Sequence, residues 1–238
     1  GAWPFVLTSL CTPGYQINLY TEPSQVNPAM LSCVSGAILC GGLNTRMHGR
    51  VKSHLRLGDQ TFLQRLTTTL ESVCAEVCLI TRDPEEFSAS PLPKHTDIFP
   101  LRSSLSGLHA ALSYSRHTHV FITACDTPLL APAVIRLLMA RGSLPDDVVV
   151  PVINGYYEPL CAIYSQRCLP VMDELLHKGL AKISAMFSRV QVRTVPQEDL
   201  RTADPGLHSF INVNTPEDLV RLQKKARLDP EVASLTQV

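Results

Sequence analysis

The sequence predicts an α/β fold in which a mostly parallel sheet is flanked by helices. Short apolar runs alternate with segments of helical apolar spacing, and several of these runs end in glycine-containing or polar loops. Hydrophobic residues make up 45% of the chain and charged residues 18%, which suits a globular core. Because such sheets bind ligands beyond the carboxyl ends of their strands, functional residues are expected in the loops that follow the strands.

The strands can be placed from their apolar runs. The first is expected over residues 34–40, where the run ends at Gly41 and Gly42, as a buried parallel strand does before a loop. The run at 120–125 is the most apolar and predicts a central strand. The remaining strands are expected at 77–81, 147–153, 160–164 and 190–195.

The helices are placed from apolar spacing and from their end signals. One helix is expected where Phe62, Leu66, Leu70 and Val73 recur, and another after Pro132. Two further helices are expected, one closing near Gly179 and a last one with Thr215 as its cap, Pro216 in the first turn and acidic residues at its positive end.

The chain is expected to hold one globular domain, over residues 33–227. Residues 1–32 contain four prolines and no lysine or arginine, so they are expected to form an extension that carries little chemistry. This extension lacks the basic start of a secretory signal. A C-terminal tail is expected over residues 228–238.

Composition excludes several classes of protein. Basic and acidic residues both number 21, which argues against a nucleic-acid-coating protein. The chain has no apolar run of the roughly 20 residues needed to span a bilayer, so no membrane association is expected. The eight cysteines include no C-x-x-C pair, which disfavours zinc and a disulfide scaffold and favours a soluble protein of the reducing cytoplasm.

The loop after the first strand favours phosphate binding. Gly41 and Gly42 would expose successive backbone N–H groups, and Arg46, Arg50 and Lys52 add three cations within seven residues. Neither the Walker loop nor the dinucleotide fingerprint matches. A solvated basic turn remains the alternative interpretation.

The loop after the strand at 120–125 favours a metal ion. Asp126 stands at the carboxyl end of that strand, where one carboxylate can hold Mg²⁺ together with water and substrate phosphates. A carboxylate that caps the following turn is the alternative. Cys125 is expected to point away from Asp126, into the core. Glu158 is either a second acidic group near the site or a strand-edge carboxylate.

Taken together, four segments make the sequence resemble the molybdenum cofactor guanylyltransferases, a family of nucleotidyltransferases. The resemblance covers about residues 35–226. The glycine loop alone is typical of the wider nucleotidyltransferase superfamily, whereas the four segments in this order are more specific. They are the loop with Gly41, Gly42, Arg46, Met47 and Lys52, and the segments 125–128, 158–164 and 210–219.

The resemblance implies a three-layer Rossmann-like nucleotidyltransferase fold and the transfer of GMP from Mg-GTP to the terminal phosphate of molybdopterin or molybdenum-molybdopterin. Pyrophosphate leaves, and transient contact with client molybdoenzymes is expected. Arg46, Lys52 and Asp126 would act in catalysis, with Asp126 as the Mg²⁺ ligand. The residues implied in binding nucleotide or acceptor are Leu39, Cys40, Gly41, Gly42, Lys52, Asp97, Gly107, Asp126, Asn212 and Asn214, with a turn at 104–107 on the guanosine side.

The chain departs from the family pattern at the glycine loop and at the guanosine-side turn. His48 and Val51 replace a glycine and an aspartate, and Ser103 and Ser104 replace a glycine and a proline. A cytidylyl or other small-molecule nucleotidyltransferase therefore remains an alternative, as does a non-catalytic carrier of nucleotide or cofactor for a molybdoenzyme. The Gly41–Gly42 pair favours GTP over CTP.

Overall fold

The architecture centres on an eight-stranded sheet, seen in a computed structural model that describes residues 34–41, 52–228 and 232. Two short strands, β2 and β3, pair separately as an antiparallel hairpin. The strands are β1 (Val34–Leu39), β2 (Arg56–Leu57), β3 (Gln60–Thr61), β4 (Glu76–Ile80), β5 (Lys94–His95), β6 (His119–Ala124), β7 (Val148–Ile153), β8 (Tyr156–Tyr157), β9 (Cys161–Ser165) and β10 (Val192–Pro196).

Helices connect most of the strands. The helices are α1 (Phe62–Glu71), α2 (Ser104–Tyr114), α3 (Pro132–Arg141), α4 (Leu169–His177), α5 (Gln197–Ala203) and α6 (Pro216–Leu228). Helix α1 begins with a capping box, in which the Thr61 hydroxyl accepts from the Gln64 backbone N–H and the Gln64 side chain accepts from the Thr61 N–H.

The order of strands across the sheet is β10-β7-β9-β6-β1-β4-β5, with β8 paired to β7. Strands β6, β1, β4 and β5 run parallel, as do β10 and β7, whereas β9 runs antiparallel to both of its neighbours. The prediction of a mostly parallel sheet flanked by helices is therefore confirmed. The reversal of β9 was not predicted, because an apolar run carries no information about strand direction.

Each face of the sheet has its own core. Strand β6 shows the alternation: Phe121 packs with α1 and α3 on one face, whereas Val120 and Ile122 pack with α2 and α4 on the other. We call these the α1–α3 face and the α2–α4 face. A third cluster joins α6 to the β2–β3 hairpin, where Leu222 packs with Leu57 and neighbouring apolar residues.

The predicted strands all occur, with ends within two residues of expectation, but several short or buried elements differ from the prediction. Helix α2 was not predicted, and the turn expected at 104–107 is wrong, since these residues form the first turn of α2. The Ser103 hydroxyl caps this turn by accepting from the Ser106 N–H, 3.0 Å away. Helix α5 and the two-residue strands were also missed.

The chain ends are only partly described. The N-terminal extension predicted over residues 1–32 lies outside the described residues, as does most of the predicted tail at 228–238, so these domain limits stay predictions. Within the part of the chain that the structure describes, none of the helices has the length and apolar character that crossing a bilayer requires.

Candidate active site

The end of β1 is held at the middle of the sheet's carboxyl edge. The Leu39 carbonyl accepts from the Cys125 N–H at 3.2 Å, and the Cys40 N–H donates to the Ile80 carbonyl at 2.8 Å. These bonds tie β1 to β6 on one side and to β4 on the other. Gly41 then leaves the sheet, and a Cβ added to it would meet none of the described atoms within 4 Å. The start of the glycine loop is therefore accessible to a ligand.

Asp126 lies next to the segment that carries the two predicted asparagines. Its backbone carbonyl accepts from the Val213 N–H at 2.9 Å, and Val213 stands between Asn212 and Asn214. The loop after β6 and the segment before α6 are distant in the sequence, and this bond brings them together. Asp126 is half-buried, Asn214 is half-buried and Asn212 is exposed.

Further contacts fix the loop that carries Asp126. The Thr127 hydroxyl donates to the Ala124 carbonyl at 3.0 Å. From α1, Arg65 donates its Nε–H to the Pro128 carbonyl at 3.1 Å, and Arg65 itself is only 7% exposed. The metal-binding candidate is thus anchored on both sides, and Arg65 was missed by the sequence analysis because no pattern marks a single buried arginine in a helix.

The predicted cap of the last helix positions Asn214. The Asp218 carboxylate accepts from the Asn214 N–H at 3.0 Å and from the Thr215 N–H at 2.9 Å, and the Thr215 hydroxyl accepts from the Asp218 N–H. The hydrogen bond from Asn214 is the main cause that lowers the pKa of Asp218. A reciprocal cap of this kind fixes the backbone immediately after Val213.

Asp97, Gly107 and Leu39 converge on the other side of β1. A Cβ added to Gly107 would lie 3.4 Å from Leu39 Cδ1 and 3.9 Å from Asp97 Oδ1. The other carboxylate oxygen, Oδ2, accepts from Arg82 Nε at 3.1 Å. Arg82 directly follows Thr81 at the end of β4, so the rule that functional residues follow strands should have identified it.

Burial and the charge of Arg82 shift the pKa of Asp97 in opposite directions. Its side chain is 13% exposed, and this burial raises the pKa of the carboxyl above its usual value. The nearby Arg82 guanidinium works against the increase, as does the more distant charge of Arg102. Arg82 also donates to the Pro100 carbonyl at 3.3 Å, which fixes the guanidinium in place.

Glu158 reaches the same edge of the sheet because β9 is reversed. The start of β9 lies beside the end of β6, with Cys161 paired to Thr123, and Glu158 stands three residues before this start. Burial raises the pKa of Glu158. Of the two interpretations left open by the sequence, a position near the site therefore fits better than an unrelated strand edge.

Part of the predicted site lies outside the described residues. The residues of this part are Gly42, Arg46, Met47, His48, Arg50 and Val51, so their contacts stay predictions. Lys52 is described in its backbone, as the first residue of a 3₁₀ helix that ends at His54.

The donor set fits a magnesium ion held mainly by its substrate. Among the described residues, no group of three or more histidines, cysteines and carboxylates is arranged to hold a metal. A single carboxylate at an open strand end suits Mg²⁺, which takes most of its ligands from water and phosphate. Cys125 packs against the core of the α1–α3 face, as predicted, and its hydrogen bond with Cys40 helps to hold the pKa of the Cys40 thiol well above its usual value.

Comparisons with known proteins identify relatives of this chain. A family model described as the MobA-like NTP transferase domain matches residues 36–194. A molybdenum cofactor guanylyltransferase of Desulfosudis oleivorans is 40% identical over 195 residues, which are 81% of this chain and 96% of the relative. A probable molybdenum cofactor guanylyltransferase of Clostridium perfringens is 32% identical, and the match covers 79% of this chain and 96% of the relative. Among solved structures, the crystal structure of molybdopterin-guanine dinucleotide biosynthesis protein A from Archaeoglobus fulgidus matches with a TM-score of 0.72. The two sequences are 26% identical, and the match covers 82% of this chain and 99% of that protein.

Proposed function

Since the chain belongs to the family of MobA-like NTP transferase domains and is a nucleotidyltransferase, we propose that it transfers GMP from Mg-GTP to the terminal phosphate of molybdopterin or molybdenum-molybdopterin. The products are pyrophosphate and a molybdopterin guanine dinucleotide. The backbone bond between Asp126 and Val213 is the observation that carries this proposal, because it joins a metal-binding candidate to an acceptor-binding candidate at one open edge. The 40% identity to a guanylyltransferase supports the choice of GTP.

The chemistry is an in-line displacement at the α-phosphorus. An oxygen of the acceptor phosphate forms the new P–O bond, while the bond from the α-phosphorus to the oxygen that bridges to the β-phosphorus breaks, and pyrophosphate carries away the electron pair. Since the acceptor phosphate is already a nucleophile, the protein has to position the two substrates and offset their charges. The amides of Gly41 and Gly42 cradle the triphosphate, and Arg46 and Lys52 offset its charge.

Asp126 would hold the Mg²⁺ ion. When bound, the ion would supply positive charge that offsets the charge of the nucleotide's phosphates. Asp126 contributes one carboxylate, in a loop that Arg65 and Val213 keep in place. Asn212 and Asn214 stand beside this loop and offer neutral donors and acceptors to the acceptor substrate.

Asp97, Gly107 and Leu39 form the nucleobase side of the site, together with Cys40 at the end of β1. Guanine presents an N1–H and a 2-amino group on one edge, and a carboxylate is the complementary pair of acceptors. Arg82 favours the ionised form of Asp97, which such a contact needs. A cytosine base lacks this pair of donors, so the geometry favours GTP over CTP.

A transfer assay tests the proposal. The full chain is incubated with molybdopterin, Mg²⁺ and either GTP, CTP or ATP, and the dinucleotide and pyrophosphate are quantified. Formation of both products with GTP alone is the expected result. Formation of products with CTP alone would show that the substrate is CTP and not GTP. Binding of GTP without any product would favour a carrier of nucleotide or cofactor.

A further inference from the structure

A short hairpin beside the candidate active site presents an exposed tyrosine and a half-buried carboxylate on the same side. Strand β8 follows a tight turn at Asn154 and Gly155, whose φ angles are 50° and 80°. Tyr156, the first residue of β8, is 76% exposed, so most of its ring is open to a ligand. Glu158 comes two residues later and is half-buried.

Strands β8 and β9 both lie alongside β7, and a bulge separates them. Val152 pairs with Tyr157, and the Pro151 carbonyl continues this ladder by accepting from the Glu158 N–H at 3.0 Å. The β9 ladder on β7 has a different register, with Val149 paired to Ile163, so residues 158–160 are left between the two ladders. Bulges of this type occur next to active sites, where they redirect a side chain.

Alternation along β8 decides which face each side chain takes. Tyr157 packs edge-on against Phe187, with ring centroids 5.0 Å apart, on the α2–α4 face. Tyr156 and Glu158 therefore share the α1–α3 side. Cys161 belongs to the core of that face; burial raises the pKa of its thiol, and the charge of Glu158 adds to this increase.

Glu158 differs from several other shielded carboxylates of the fold. The half-buried Asp97 and Asp147 and the buried Asp146 each pair with an arginine. In the described part of the chain, the Glu158 side chain has no hydrogen bond and no ion pair. A carboxylate that is taken partly out of water without a partner is costly, and a ligand that supplies donors removes that cost.

We infer that Tyr156 and Glu158 bind the pterin ring of the acceptor substrate, an inference that rests on the proposed function and extends it to the acceptor side. The pyrimidine end of a pterin carries an N3–H and a 2-amino group next to each other, which match the two oxygens of one carboxylate. The flat ring system also needs an aromatic surface to stack on, and the exposed ring of Tyr156 offers one. The terminal phosphate of the same acceptor is then directed along the sheet edge from β8 and β9 towards Asp126 in the loop after β6.

Binding of free pteridines tests this inference without any transfer reaction. The full chain is titrated with pterin and with lumazine, which has a carbonyl in place of the 2-amino group, and binding is followed by ligand fluorescence. The wild-type chain should bind pterin more tightly than lumazine. Glu158→Gln should weaken pterin binding about tenfold and remove the preference, because an amide offers one acceptor instead of two. Tyr156→Ala should weaken the binding of both pterin and lumazine, and Tyr156→Phe should leave the binding of both unchanged.

Controls separate this inference from the proposed function. Glu198→Gln removes a carboxylate from the first turn of α5 and should leave pteridine binding unchanged. In the transfer assay, Glu158→Gln should raise the KM for molybdopterin while the KM for GTP stays unchanged. Unaltered pterin binding by Glu158→Gln, or a change in the KM for GTP alone, would overturn the inference. Pterin binding that depends on Glu158 in a chain without transferase activity would instead overturn only the proposed function.

Discussion

Replacement of Arg82 by glutamine is expected to weaken GTP binding through Asp97. The Arg82 Nε lies 3.1 Å from Asp97 Oδ2, and the two side chains are 34% and 13% exposed. A hydrogen bond between charged groups contributes about 1.5–3 kcal/mol when buried, and the exposure of Arg82 reduces this to about 1 kcal/mol. Arg82→Gln should therefore raise the KM for GTP about fivefold, with little change in kcat at saturating GTP.

The pH dependence of GTP binding should differ between Arg82→Gln and the wild type. Burial already raises the pKa of Asp97, and removal of the Arg82 charge raises it further. Because guanine donors require the ionised carboxylate, GTP affinity should fall as the pH is lowered, and in the variant the decrease should begin at a higher pH than in the wild type. The measurement is the KM for GTP at a series of pH values, with molybdopterin saturating.

Arg102→Gln is the matched control, because Arg102 acts on Asp97 through its charge and has no hydrogen bond to it. It should change the KM for GTP less than Arg82→Gln does. For inosine triphosphate, which lacks the 2-amino group, Arg82→Gln should raise the KM less than it does for GTP. An equal increase in KM for GTP and CTP, or none for GTP, would refute the role given to Arg82 and Asp97.

Three further changes probe the loop and the fold. Asp126→Ala should abolish turnover with an unaltered circular dichroism spectrum and Tm, and retained turnover would contradict the metal assignment. Arg65→Met should lower the free energy of unfolding by about 1–3 kcal/mol and raise the Mg²⁺ concentration that gives half-maximal activity, because the Pro128 carbonyl loses its buried donor; equal Mg²⁺ dependence would make Arg65 purely structural. Hydrogen bonds from Ser35 and Arg116 outweigh burial and lower the pKa of Glu76 from 4.5 to about 2. Glu76→Gln should therefore lower the free energy of unfolding by about 1–2 kcal/mol above pH 5. This difference should vanish as the pH falls from 4.5 towards 2 in denaturant titrations, and a constant difference would exclude the ionised carboxylate as its cause.

The elements predicted correctly from the sequence are those with local signals. Strand β1 is a continuous apolar run before glycines, and α6 begins with a threonine, a proline and two acidic residues. Helix α2 has no such signal, since most of its residues are buried and an apolar stripe with a polar opposite face is missing. The direction of β9 depends on its neighbours in the sheet, which no local pattern specifies.

The same distinction holds for the candidate site. Asp126 could be proposed as a site residue because it directly follows the most apolar strand, and Asn212 and Asn214 because their segment resembles a family motif. The contact between Asp126 and Val213 could not be predicted, since it joins residues that only the completed fold brings together. The bulge at 158–160 depends on two registers along β7, and sequence alone specifies neither.

The separation of these residues along the chain has a consequence for folding. The candidate site draws on Gly41, Asp97, Asp126, Glu158 and Val213, so its contacts close long loops and form late, when non-local strand pairing is complete. A partly folded chain therefore holds only fragments of the site and does not bind the nucleotide. A ligand that binds only the native state stabilises all of these segments at once, so occupancy by nucleotide reports that the whole sheet has assembled.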